Sequence, residues 1–361
     1  MGFDSKGAPN AGLHLLVNHM ARTRKRGDEI RNFLLQNVTD HPADIAKVAA
    51  KKFQISRQAA NKHLQRLVEQ GDLDHEGTTR TRTYTLRELF TWMQTYELTG
   101  ELNEDDVWRN DVRPRMGEMP KNVNDIWNYG FTEMLNNAID HSDGRIVLVH
   151  IVRTAADFRI VVADDGVGIF RKVRDALGLE HEREAVLELS KGKVTTDPNH
   201  HSGQGIFFSS RAFSSFAILS GAVLFSHDID KPEDWIQPRS GVDTGTSVHM
   251  RLSKTTSRKL KAVFDRFAPP ENFAFDRTVV PVRLAQYGDE LLVSRSQAKR
   301  LLAGLHKFKV VALDFLGVES IGQAFADEVF RVFNIDNPDI ELVPLNANKE
   351  VEDMVRRAID G

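Results

Sequence analysis

The 361-residue sequence has no cysteine. That absence excludes disulfides, thiolate zinc sites, iron–sulfur clusters and cysteine nucleophiles together, and it fits a reducing compartment. There is no run of about 18 apolar residues, so no membrane-spanning helix is expected. No GxxxxGK[ST] string occurs, which excludes the common P-loop nucleotide site. Neither a fixed repeat period nor a low-complexity tract is present. The opening MGFDSKGAPNAGLHLLVNHM lacks a basic start followed by a long apolar run, so no secretory signal is expected and the default location is cytoplasmic. Charge of one sign is also lacking. The net charge is -3, from 48 Lys and Arg against 51 Asp and Glu, which excludes a uniformly basic coat for nucleic acid.

What is present suffices for two or three domains at this length. Arg109 to Asn122 holds two prolines and a glycine with little apolar content, and reads as a linker. Pro269-Pro270 marks a second boundary, and the polar stretch Asp228 to Gly245 reads as an inserted loop. The expected organisation is therefore a module at 20–90, a linker at 91–122, a module at 123–266 and a module at 271–361. The fold class is multidomain α+β.

In the first module, Ile30, Phe33, Leu34 and Val38 recur at helical spacing, and Ile45, Val48 and Ala49 mark a second helix. Ser56 suits an N-cap for a third helix reaching about Gln70, and Gly71 suits its end. Two alternating strands follow around Gly77. Residues 1–90 carry 15 Lys and Arg against 10 Asp and Glu, a local excess opposite in sign to the whole chain. The third helix carries Ser56, Arg57, Gln58, Asn61, Lys62 and His63 early, and the hairpin carries Arg80 and Arg82. This layout resembles the winged helix-turn-helix domains of bacterial transcription regulators. The resemblance implies double-stranded DNA as partner, with the helix at base edges and the two arginines at phosphate or the minor groove. A protein-contact role for the same module is the alternative.

The middle module carries the chemistry. In DIWNYGFTEMLNNAIDHS, apolar residues recur at helical spacing, while Glu133 and Asn137 share another face. A carboxylate can orient or deprotonate a water, and an amide oxygen can ligate Mg²⁺. Asn136 and Asp140 lie beside them. Two strand-like runs lead into Asp164-Asp165-Gly166-Val167-Gly168-Ile169. A carboxylate at a strand end can accept a hydrogen bond from an exocyclic amine. Ser202-Gly203-Gln204-Gly205-Ile206 then precedes a helix, an arrangement that suits a phosphate chain. Gly245-Thr246 opens a last strand.

ExxxN, DxGxG, GxG and GT in this order resemble the Bergerat-fold GHKL superfamily, which includes gyrase, histidine kinases and anti-sigma-factor serine kinases. The resemblance covers residues 120–253 and is strongest to the last two groups. It implies an ATPase using ATP and Mg²⁺, with a protein serine kinase as the alternative. Glu133 matches the water-activating glutamate and Asn137 the Mg²⁺-ligating asparagine. Asp164 matches the adenine-reading aspartate, with Gly166 and Gly168 shaping the base pocket and Ile169 following them. Gly203 and Gly205 match the phosphate loop, and Thr246 the adenine-side hydroxyl. Residues 190–202 read as the ATP lid. Lys191 or Lys193 is either a contact to the terminal phosphate or a solvated loop lysine. No histidine has the context of a phosphoacceptor, so a sensor histidine kinase is not expected.

The last module alternates strands and helices, with Ser294 as a helix cap and FKVVALDF as a buried strand. VVALDFLGVESIGQAFADEVFRVF resembles the STAS-like fold, whose classical members oppose anti-sigma kinases. The serine that accepts phosphate in those members is replaced here by Gly322-Gln323-Ala324. Ser320, nearby, reads as a helix cap, and Asp314 as a loop-binding carboxylate. The combined expectation is an ATP-dependent DNA-binding regulator without a membrane partner. An anti-sigma-like kinase acting on a STAS or sigma-type partner is a second expectation, and a DNA-sensing ATPase of a mobile-element or phage-defence system a third. A homodimer is expected by analogy with paired Bergerat domains.

Overall fold

The computed structural model describes residues 25–78, 81–194, 203–229, 235–238, 244–268, 274–286 and 290–360. They form two compact units. Residues up to Thr91 together with Val152–Asp157 make the first, and Trp92–Ile151 with Phe158 onward make the second.

The first unit is built on three helices: α1 (residues 25–37), α2 (Ile45–Phe53) and α3 (Arg57–Glu69). Ile30, Leu34 and Val38 meet Ile45 and Ala49, and Ala60, Leu64 and Leu67 close the core from α3. The spacing of the last three is one helical face, which is why that face is buried. Gln54 turns the chain between α2 and α3 in the left-handed region, at φ 53°. The Ser56 hydroxyl accepts the Ala59 N–H at 3.1 Å and so caps α3. Strands β1 (Leu73–Glu76) and β2 (Thr83–Leu86) pair antiparallel, with His75 opposite Tyr84. Leu73 and Tyr84 complete the core.

The expected linker at 91–122 is not a linker in the structure. Strand β3 (Phe90–Glu97) enters a sheet, and α4 (Glu104–Val107), a wide turn (Trp108–Val112) and α5 (Arg113–Met116) follow. Val107, Trp108, Val112 and Met116 are buried, so an apolar face hidden among charges drives the folding of this stretch. Pro114 stands at the start of α5, directly after the wide turn.

The second unit holds the long helix α6 (Lys121–His141), all but the facing ends of strands β4 (Ile146–Arg153) and β5 (Asp157–Asp164), and helices α7 (Ile169–Leu177), α8 (Glu182–Lys191) and α9 (Gly205–Ala212). Strands β6 (Ser215–Ser220), β7 (Val223–Asp228), β8 (Trp235–Pro238) and β9 (Thr246–Ser253) complete a seven-stranded sheet ordered β3-β4-β5-β9-β6-β7-β8. Strand β8 lies inside the expected loop at 228–245, where it pairs antiparallel with β7. Alternate residues are buried, such as Val147, Val149 and Ile151 of β4 and Val248, Met250 and Leu252 of β9. Trp127, Phe131, Met134 and Leu135 form the buried face of α6.

Helix α10 (Leu260–Phe267) leads to a three-stranded parallel sheet of β10 (Arg277–Pro281), β11 (Val310–Asp314) and β12 (Glu341–Leu345). Around it lie α11 (Arg295–Leu302), α12 (Gln323–Ala326), α13 (Phe333–Asp336) and α14 (Lys349–Asp360). A division between 266 and 271 does not separate two cores. Leu187, Phe207, Phe208, Val263 and Phe267 share one apolar cluster with Val280, Leu301, Phe308, Val311 and Phe325. The doublet Pro269-Pro270 lies outside the described residues. Ser294 caps α11 in a full capping box with Gln297. Ser320 caps nothing: α12 starts after Gly322, because Ile321 bridges Leu292 and Gly322 N donates to Leu292 O at 2.7 Å, which keeps the chain extended.

Gly130 places bare backbone of α6 against the Phe213 ring, and a Cβ there would come within 2.2 Å of Cε2. Gly130→Ala should therefore destabilise the second unit by about 1–3 kcal/mol through overpacking. Urea unfolding followed by circular dichroism measures this, and an unchanged midpoint would contradict the packing described.

Candidate functional site

Helix α6 brings Glu133, Asn136 and Asn137 to one wall of a cavity of ~290 Å³. Its last turn adds His141, one turn beyond Asn137. Val162 and Asp164 at the end of β5 and Thr246 and Val248 at the start of β9 form the floor, since β5 and β9 are neighbours in the sheet. Ile169, Lys172 and Val173 of α7 form a second wall. Gly203, Gln204, Gly205 and Ile206 close the cavity at the start of α9. Residues separated by more than a hundred positions thus line one space.

Asp164 is held by the backbone. Its Oδ1 accepts Gly166 N at 2.9 Å and Thr246 N at 3.2 Å. Burial raises its pKa, and these N–H donors oppose that shift without cancelling it. The Thr246 hydroxyl accepts Ile169 N at 2.9 Å and so satisfies the first amide of α7. Gly245 makes this contact between strands feasible: its φ is 90°, and a Cβ would lie 2.0 Å from Asp164 O. At the other end, a Cβ on Gly205 would lie 2.1 Å from Glu133 Oε2. The glutamate is therefore pressed against the first turn of α9, where backbone N–H groups favour negative charge.

Not every expected residue lines this space. Gly166 and Gly168 shape the turn behind the cavity, with Gly168 preceding α7. Asp140 is exposed and outside the lining. Ser202 lies outside the described residues. Lys191 is neither a phosphate contact nor a solvated lysine here: it is 1% exposed, bonded to Glu188 Oε1 at 2.5 Å and to Ala303 O at 2.8 Å. Lys193 donates to Lys307 O at 2.7 Å. The reason is that helix α8 turns this segment toward the C-terminal sheet. Sequence reasoning missed His141 and Lys172. Both were recoverable from helical spacing, as Asn137 to His141 and Ile169 to Lys172 to Val173. Lys172 pairs with Asp143 at 2.8 Å.

In the first unit, Arg57, Gln58, Asn61 and Lys62 of α3 are exposed, and Arg82 is exposed beside β2. Ser56 is committed to its cap. His63 turns partly inward, and burial with Arg31 and Arg66 lowers its pKa. Arg80 lies outside the described residues.

Residues 297–352 match the STAS-like domain of unknown function (DUF4325). The matched stretch holds strands β11 and β12 of the C-terminal sheet. A comparison with curated proteins gives no match. In this STAS-like domain Asp314 organises a loop, accepting Leu316 N at 3.0 Å and Asn346 Nδ2 at 2.9 Å. Helix α12 starts at the N-cap Gly322, with no side-chain cap. No described helix is long and apolar enough to cross a membrane.

A raised pKa in the folded state means that protonation of Asp164 favours folding. Its contribution is present at low pH and is lost as pH rises through the raised value. Asp164→Asn, neutral at every pH, should thus be more stable than the parent at neutral pH, and the difference should shrink as pH falls through the Asp164 titration. Thermal unfolding across pH measures it. A variant less stable at all pH values would show that the buried charge is not the cost.

Proposed function

We propose that the chain is an ATP-dependent DNA-binding regulator, in which Mg-ATP binding and slow hydrolysis by a GHKL-type domain control a winged helix-turn-helix and the STAS-like domain. The observation that carries this reading is the convergence of Glu133, Asn137, Asp164, Thr246 and Gly203–Ile206 on one cavity. These are the residues whose order along the sequence resembles the Bergerat fold.

In this reading ionised Asp164 accepts the exocyclic amine of adenine, and Val162, Val173 and Val248 cover the base. The opening turn of α9 receives the phosphates through backbone N–H groups. Glu133 takes the proton of a water that attacks the terminal phosphorus while the bridging P–O bond to ADP breaks. Asn137 offers a hard oxygen donor on one wall, and no group of three or more His, Cys, Asp or Glu able to hold a metal occurs among the described residues. That donor set fits Mg²⁺, which takes one or two protein oxygens together with phosphate and water. Mg²⁺ would neutralise phosphate charge there.

The chain passes between the two units at 91/92, 151/152 and 157/158, because the tip of the β4–β5 hairpin belongs to the first unit. A change in the nucleotide-bound sheet therefore has three chain connections through which to act. The alternative of a serine kinase needs its phosphate acceptor in another protein, since Gly322 stands at the start of α12.

Asn137→Ala should abolish Mg-dependent ATP binding, whereas Glu133→Ala should still bind ATP and hydrolyse it about 10²–10⁴-fold more slowly. Calorimetry and phosphate release measure the pair. Full ATP affinity in the first variant or parental turnover in the second would overturn the site. For DNA, Lys62→Ala with Arg82→Ala should weaken binding to a promoter duplex and flatten its salt dependence by about one unit of slope per lost phosphate contact. Unchanged affinity and slope in a salt titration would remove the DNA reading.

A further inference from the structure

Helices α8 and α9 each have two working faces. Leu189 of α8 and Gly205 and Ile206 of α9 line the cavity. Leu187 of α8 and Phe207 and Phe208 of α9 lie in the apolar cluster shared with the STAS-like domain. The Phe207 ring centroid is 4.7 Å from that of Phe275, and Phe275 is 5.4 Å from Phe308. The cavity wall therefore has the STAS-like domain directly behind it.

The polar contacts across this seam share a pattern. Cationic side chains of α8 and α9 donate to main-chain carbonyls of the C-terminal segment. Lys191 Nζ donates to Arg300 O at 3.1 Å and Ala303 O at 2.8 Å, besides Glu188 Oε1. Those carbonyls end helix α11, where a positive charge is favoured by the helix dipole. Three donors meet three acceptors, which is the full capacity of an ammonium. In return, Thr278 Oγ1 donates to Lys191 O at 2.7 Å. Arg211 donates to Val279 O at 3.2 Å and also to Ser190 O at 3.2 Å. Arg183 donates to Gln286 O at 2.6 Å. Contacts to backbone depend on the position of the fold and not on exchangeable side chains.

We propose that the STAS-like domain sets the position of the nucleotide cavity from behind, with Lys191 as the positioning residue. The proposal rests on the nucleotide reading of the cavity. Lys191 reaches no cavity atom itself. It fixes the end of α8, two residues after Leu189 and three before Val194, both of which line the cavity. By linkage, any partner that shifts the STAS-like domain relative to α8 changes nucleotide affinity, and nucleotide changes the affinity of that partner by the same factor.

The test uses the full chain carrying Lys191→Met with Glu188→Gln, so that no unpaired charge is left buried. Lys193→Met, at a half-buried and less demanding contact, is the milder variant. Mg-ATP affinity is read by calorimetry, and amide hydrogen exchange at Leu189, Val194 and Ile206 is read without nucleotide. In the folded double variant, the dissociation constant should rise about tenfold, and exchange at those amides should accelerate. Lys193→Met should shift both in the same direction by less. Parental affinity together with parental exchange in the folded variants would overturn the positioning role. Failure of the parent chain to bind Mg-ATP would instead overturn the nucleotide reading. Exchange at the three amides then decides the wall by itself: acceleration supports the positioning of α8, and no change overturns it.

Discussion

A single buried ammonium, that of Lys191, ties the two halves of the larger unit together. A lysine taken out of water is costly unless every proton finds an acceptor. Here Glu188 balances the charge and two carbonyls at the end of α11 take the remaining protons. Burial raises the pKa of Glu188 and lowers that of Lys191, and the attraction and hydrogen bond between the two oppose both shifts. Breaking such a pair typically costs about 3–5 kcal/mol, because the partner is left buried and unpaired. That penalty makes the seam specific: a small displacement of α8 from α11 would strand the charge.

The apolar part of the seam supplies adhesion where the lysine supplies registration. Phe207, Phe208, Phe264, Phe267, Phe275 and Phe308 meet edge-on or tilted across it. Such ring contacts are favourable beyond burial alone. Behind α9, the Arg211 guanidinium lies 3.7 Å from the Phe207 ring centroid, so a cation covers the rim of the aromatic cluster. The same helix opens the cavity with Gly205. One short helix therefore carries the cavity mouth on one face and the inter-sheet packing on the other.

Asp164 displays the opposite balance. Burial works against its charge, and the two backbone donors that hold Oδ1 only partly offset this. A chain selected for stability alone would place a neutral residue there.

The elements were legible in the sequence wherever local rules were sufficient. Ala60, Leu64 and Leu67 at helical spacing, Ser56 and Ser294 as caps, and the alternating runs in β4, β9 and β11 depend on neighbours a few residues away. The residues of the candidate site could be listed for the same reason, since Glu133 and Asn137 share a helix face wherever that helix goes. Packing between distant segments could not be read. The stretch at 91–122 resembles a linker until Trp108 is seen against Phe131, with ring centroids 5.8 Å apart. Lys191 resembles a loop lysine until α11 supplies carbonyls from more than a hundred residues away. Ser320 resembles a helix cap until the Leu292–Ile321 bridge holds its segment extended. Periodicity and capping are properties of the chain itself, and the sequence by itself determined them. The destination of a charge or a buried face depends on which other surface is nearest in space, and only the tertiary structure decided that.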